Sequence, residues 1–203
     1  RTGRERRATS TACAGPPFTK TLGSTQTVDA NRFNQILFLD SLPVSESNMA
    51  KRLFEDIETY AKAYAPSPAV KYVRIESGKA LIDCLSEAKR RAATEGVLPM
   101  LHIECHGSED GFELADGSFA DWAELKNSIT DLNTSTHLNL MIAVAACTGG
   151  ALAKVVRVAD RAPFWGLIGP TKPVSAGELD KAFRALYLTL LSTKSPGKAI
   201  EAM

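Results

Sequence analysis

Two short stretches hold the residues best suited to covalent chemistry. His106-Gly107 closes an apolar run over residues 98–105, and Cys147-Thr148-Gly149-Gly150 closes a longer one over 138–146. A thiolate is a strong nucleophile, and an imidazole beside it can take the thiol proton and later return it to a leaving amine. The glycines leave room for a carbonyl group to approach the backbone, where N–H groups can hold an oxyanion. Cys147 also precedes an expected helix start, where unpaired N–H groups favour a thiolate. Taken singly, each residue has a plainer reading. A cysteine after a buried strand is usually a small hydrophobe, and a lone histidine at a strand end is usually a hydrogen-bonded structural group. Both residue types at two strand ends, each with glycine close behind, make a Cys–His dyad an even match for the plain reading.

Neighbouring constellations carry less. His102, Glu104 and His106 alternate, which places them on one face of a strand. A metal site there needs further ligands from elsewhere, and Cys105 points the other way, so no metal is expected. Glu104 is a candidate to orient His106, with a buried hydrogen-bonded carboxylate as the equal alternative. Gly149-Gly150 before a helix lacks both the G-x-G-x-x-G and the G-x-x-x-x-G-K patterns, so nucleotide binding is not expected. Cys13 and Cys84 do not read as catalytic, and Trp122 and Trp165 read as core.

The elements that must position these residues follow from the apolar pattern. Ile36-Leu37-Phe38-Leu39 is a short apolar run closed by Asp40-Ser41, as expected of a strand buried on both faces. Met49, Leu53, Phe54, Ile57, Tyr60, Ala61 and Tyr64 recur at helical spacing. A strand over 70–75 is followed by a helical stripe of Leu81, Leu85, Ala88 and Ala92, with Ser77 before it and Gly96 after it. Asp116-Gly117 between short alternating arms predicts a hairpin within 111–119. A helix along Trp122, Leu125, Ile129 and Leu132 follows, then the 138–146 strand, a helix over 151–156 and a last strand over 164–168. A helix along Leu179, Phe183, Leu186, Tyr187 and Leu190 and a short one opened by Ser195-Pro196 complete the chain. Strands alternating with helices predict a three-layer α/β sandwich, a mainly parallel sheet covered on both faces, plus the small hairpin. Open sheets of this kind hold their sites beyond the carboxyl ends of the strands, where His106 and Cys147 fall.

Composition bounds the function. The chain has 203 residues, 44% of them hydrophobic and 23% charged, within the range of one globular domain. Lys+Arg 24 against Asp+Glu 23 leaves +1, so direct nucleic-acid binding through phosphate contacts is not expected. No apolar run reaches the ~20 residues of a membrane span. Four cysteines are too few for a disulfide framework, and the expected setting is reducing and cytoplasmic. Residues 1–30 stand apart. They are rich in Thr, Ser, Gly, Pro and Arg without any period, and carry a net +3 against −2 for the remainder. They read as a flexible basic tail or linker, with residues 31–203 as the domain.

The stretches LHIECHG, DGFELADGSFADWAEL and LNLMIAVAACTGG resemble the two signature blocks of caspase-like cysteine proteases of clan CD. The likeness is closer to their bacterial CHAT branch, with an Ala146-Cys147-Thr148-Gly149 block and an Ala-Asp-Gly hairpin. The ending from Pro163 to Met203 is also similar, so the resemblance covers about residues 31–203. It implies a cysteine endopeptidase with His106 as general base, Cys147 as nucleophile and the N–H groups of Gly107 and Cys147 as oxyanion hole. Asp40 and Ser41 after the first strand, and Thr171 and Lys172 after the last, are the implied candidates for lining the substrate site. Caspases carry Gln two positions before the nucleophile, where this chain has Ala145, so strict cleavage after aspartate is not implied. The implied partners are a protein or peptide substrate and a regulatory protein or sensor module, with no cofactor. A catalytically silent caspase-like interaction module is the alternative, and a small ligand-binding α/β domain is the third reading.

Overall fold

The structure is a computed structural model that describes residues 32–46 and 49–203. The expected basic tail over 1–30 lies outside the described residues. Five parallel strands form the central sheet: β1 (Gln35–Asp40), β2 (Ala69–Arg74), β3 (Pro99–Glu104), β7 (Met141–Ala145) and β8 (Gly166–Ile168). Their spatial order is β2-β1-β3-β7-β8. β1, β3 and β7 are buried at every residue, which is why they read as unbroken apolar runs rather than alternating ones. β3 and β7 are hydrogen-bonded neighbours, with Glu104 opposite Ala145. The strand that leads to His106 therefore lies beside the strand that leads to Cys147.

Helices cover both faces. On one side, α2 (Gly78–Glu95) and α3 (Trp122–Ser135) pack on Leu37, Leu39, Leu101, Ile103, Ile142 and Val144. On the other, α1 (Met49–Ala61), α4 (Ala176–Thr193) and α5 (Pro196–Glu201) pack on Ile36, Phe38, Met100, Met141 and Ala143. Each strand sends alternate side chains to the two faces, so each core Leu or Ile contributes about 1.5–3 kcal/mol of burial. The helix ends are built from local signals. Ser77 caps α2, whose end is closed by Gly96 at φ 66°. Asp121 with Glu124 and Ser175 with Glu178 form reciprocal capping boxes on α3 and α4. Ser195 caps α5 with proline in its first turn.

Three expectations change. The hairpin is a three-stranded antiparallel sheet, β4 (His106–Gly107), β5 (Gly111–Glu113) and β6 (Phe119–Asp121), because His106 and Gly107, one residue past the end of β3, join its edge. The helix expected over 151–156 is a seven-residue 3-10 helix, Gly149–Val155. Its opening residue Thr148 is left-handed at φ 53° with no side-chain cap, so it provides no extended dipole behind Cys147. Trp122 is buried as expected, but Trp165 is 41% exposed, since only three residues of the last segment enter the sheet.

Candidate active site

β3 ends at Glu104. Cys105 is buried, and the chain then leaves the sheet for β4, which lifts the His106 side chain into solvent. Glu46, in the turn after β1, meets it there: its carboxylate accepts from His106 Nε2 at 2.8 Å. A carboxylate only accepts, so Nε2 is the donating nitrogen, and in the neutral ring the lone pair is on Nδ1. Both side chains are about half exposed, 48% for His106 and 44% for Glu46, so the pair orients the ring more than it stabilises the fold.

β7 ends at Ala145, Ala146 is buried, and Cys147 is half-buried at the rim. Gly107 joins the two strand ends. A Cβ on Gly107 would stand 2.3 Å from the Cys147 carbonyl oxygen and 2.8 Å from the Ala146 Cβ. Only glycine lets the two backbones meet at this distance. The Cys147 thiol donates to the Val174 carbonyl at 3.6 Å, and the Thr148 hydroxyl donates to the Cys147 carbonyl at 2.7 Å. The thiol and the imidazole thus leave one rim with different partners.

The segment after β8 closes the far side. Gly150 N–H donates to the Pro170 carbonyl at 2.9 Å, and the Thr171 methyl lies against the space a Gly150 side chain would fill. Thr171 and Lys172 are exposed on this loop. A groove of ≈ 410 Å³ runs beside it, lined by Pro170, Val174, Leu179 and Phe183 among others.

The two remaining candidates behave differently. Asp40 is fully buried, with one carboxylate oxygen taking the Leu42 N–H and the other the Tyr72 hydroxyl and the Arg74 guanidinium at 2.9 Å. Ser41 is buried as well, donating to the Ile75 carbonyl and accepting from Ala115 N–H. Both brace the rim from within. Glu104 does not orient His106. It points to the α1/α4 side beside His102, whose Nε2 is 3.6 Å from Glu104 Oε2, while His102 Nδ1 pairs with the Tyr187 hydroxyl at 2.9 Å. The alternation of 102, 104 and 106 stops at residue 104 because the strand does. Among the described residues no group of three His, Cys, Asp or Glu is arranged to hold a metal ion.

The cysteines differ in environment. Burial, with Glu104 and Asp40 adding repulsion, pushes the Cys105 thiol far up. Burial and then Glu87 push the Cys84 thiol up less. Sequence reasoning missed Glu46 and Val174. Neither belongs to a recognisable spacing, since Glu46 is sixty positions from His106 and Val174 acts through its backbone. The chain matches no protein-family model and no curated protein.

Proposed function

We propose that the chain is a caspase-like cysteine endopeptidase of the CHAT type, acting on protein or peptide substrates in the cytoplasm. The observation that carries this reading is the contact of Gly107 with the Cys147 carbonyl, which joins the histidine-bearing and cysteine-bearing strand ends at one rim. The Glu46 contact supports it by leaving Nδ1 of His106 as the basic nitrogen. In the proposed reaction the thiol proton passes to Nδ1 and sulfur bonds to the scissile carbonyl carbon, whose oxygen becomes an oxyanion facing the N–H groups of Gly107 and Cys147. The C–N bond then breaks as the imidazolium protonates the amine. Water, deprotonated by the same imidazole, cleaves the thioester and restores the thiol. Asp40 and Ser41 serve this site by bracing the rim, and Thr171 and Lys172 by edging the groove.

The Val174 contact bears on regulation. With the thiol turned to that carbonyl, activity is low until a partner or sensor module shifts the loop over 169–175. The same contact favours the second reading, a silent interaction module in which the thiol is never released. Among the described residues no helix is long and apolar enough to cross a membrane. The test is digestion of a peptide library by the purified chain, alone and with neighbouring sensor proteins added. Cleavage lost in Cys147→Ala supports the peptidase. No cleavage under any condition, with Cys147 no more reactive than Cys84 toward iodoacetamide, supports the silent module.

A further inference from the structure

The groove beside the candidate nucleophile has walls of one chemical kind. Val174 borders both: its carbonyl oxygen takes the Cys147 thiol at 3.6 Å, and the same residue lines the groove. Ser175 then caps α4, and Leu179, Ala182 and Phe183 follow at helical spacing on one face of its first two turns. Phe183 is buried, while Val174, Leu179 and Ala182 are half-buried. Pro170 and Met203, the latter 43% exposed, complete the apolar walls.

The two charged residues of the groove, Glu178 and Lys181, stand at its exposed edge and are of opposite sign. Glu178 closes the capping box of α4, its Oε2 accepting from the Ser175 N–H at 2.8 Å and from the Ser175 hydroxyl at 2.7 Å. Lys172 and Lys181 attract the same carboxylate. Among the described residues that line the groove, no charged side chain is buried. An apolar side chain gains by leaving water for such walls, whereas an ammonium or a carboxylate would give up hydration without an enclosed partner. At ≈ 410 Å³ the groove has the size of a small-ligand site and admits a leucine- or phenylalanine-sized group.

We infer that the substrate carries a large apolar side chain, leucine or phenylalanine in size, close to its scissile bond, and that this side chain sits in the groove between Val174 and Phe183. The inference deepens the peptidase reading and rests on it for its place in a reaction, while the preference of the groove is read by binding alone. Val174, Leu179 and Ala182 are then the residues that set specificity.

The experiment uses the full chain with Cys147→Ala, so that nothing is turned over, and fluorescein-labelled octapeptides identical except for a central leucine, phenylalanine, lysine or glutamate. The expected result is that the leucine and phenylalanine peptides bind about tenfold or more tighter than the lysine and glutamate peptides. Adding Ala182→Glu, which sets a carboxylate in the wall, should remove most of that difference and raise lysine binding at an unchanged melting temperature. Should Ala182→Glu fail to fold, Met203→Glu at the exposed wall makes the same test with a smaller shift. Equal binding of the four peptides, binding of none, or a preference for lysine or glutamate overturns the inference, as does an apolar preference unchanged in the folded variants. Cleavage by the unaltered chain with no apolar preference overturns the inference and leaves the peptidase reading standing. Apolar-selective binding without cleavage by the unaltered chain, alone or with neighbouring sensor proteins, overturns the peptidase reading and leaves the groove assignment standing.

Discussion

Two histidine–glutamate pairs stand four residues apart in the chain and serve opposite ends. His102 with Glu104 is enclosed between β3 and the α1/α4 layer, where Phe38, Phe183 and Tyr187 surround the imidazole with ring centroids 4.7–5.6 Å away. His106 with Glu46 is at the rim, half in water. The inner pair is assembled within one strand by alternation. The outer pair spans two loops and exists because β3 ends between Glu104 and His106. Exposure, more than residue type, separates the enclosed ring from the one open to solvent. The inner imidazole is locked by Tyr187, whose own hydroxyl burial and Glu104 hold well above its usual range, as a neutral donor. The outer imidazole donates through Nε2 to Glu46 with its side chain 48% exposed.

The sharpest way to break this comparison is to remove each ring. On the proposed peptidase reading, His106→Ala should lower peptide cleavage by about a thousandfold or more, as Cys147→Ala should, because members of a catalytic unit fail together. Its melting temperature should stay within a few degrees. His102→Ala should instead destabilise the fold by about 2–4 kcal/mol through a cavity and the stranded Tyr187 hydroxyl, read as a lower urea midpoint. A stable His102→Ala, or an unstable His106→Ala, would reverse the assignment.

The contact that unites the rim comes next. Gly107→Ala places a methyl group 2.3 Å from the Cys147 carbonyl, so the strand ends must part. The expected loss in kcat/KM is about a hundredfold with little change in global stability, measured by steady-state kinetics beside thermal melting. Glu46→Ala should cost about tenfold in kcat with KM nearly unchanged, and Glu46→Gln, which still offers an acceptor oxygen, should recover part of it. Nitrogen-15 spectra of the His106 ring check the cause, since loss of Glu46 releases the Nε2-protonated tautomer.

Thiol reactivity gives the smallest and simplest contrast. Among the cysteines of the described residues, iodoacetamide at neutral pH should label Cys147 before Cys84, and Cys105 should react only on unfolding. The raised thiols of Cys84 and Cys105 carry less thiolate at a given pH. Labelling of Cys84 should therefore keep rising with pH beyond the range of an ordinary thiol, as followed by peptide mass spectrometry. Cys84 outpacing Cys147 would remove the nucleophile from the rim.

Much of the fold is legible in the residues themselves. Ile36-Leu37-Phe38-Leu39 announced a doubly covered strand because burial on both faces demands an unbroken apolar run. Ser77 and Ser195-Pro196 announced helix starts because their side chains satisfy N–H groups only three residues away, whereas the caps Asp121 and Ser175 were found in the structure. Such signals are local, so the residues themselves carry them. Asp116-Gly117 announced a turn for the same reason, and Gly117 adopts φ 79° there.

What tertiary structure alone decided is which distant pieces meet. Periodicity placed histidine and cysteine at strand ends, but only the order β2-β1-β3-β7-β8 made those strands neighbours. Alternation paired His106 with Glu104, and the end of β3 undid that pairing and brought Glu46 from sixty positions away. The Val174 carbonyl at the thiol has no sequence signature, being a backbone group. Contacts of this range are selected by packing across the whole fold, where layers, registers and loop lengths must be satisfied together.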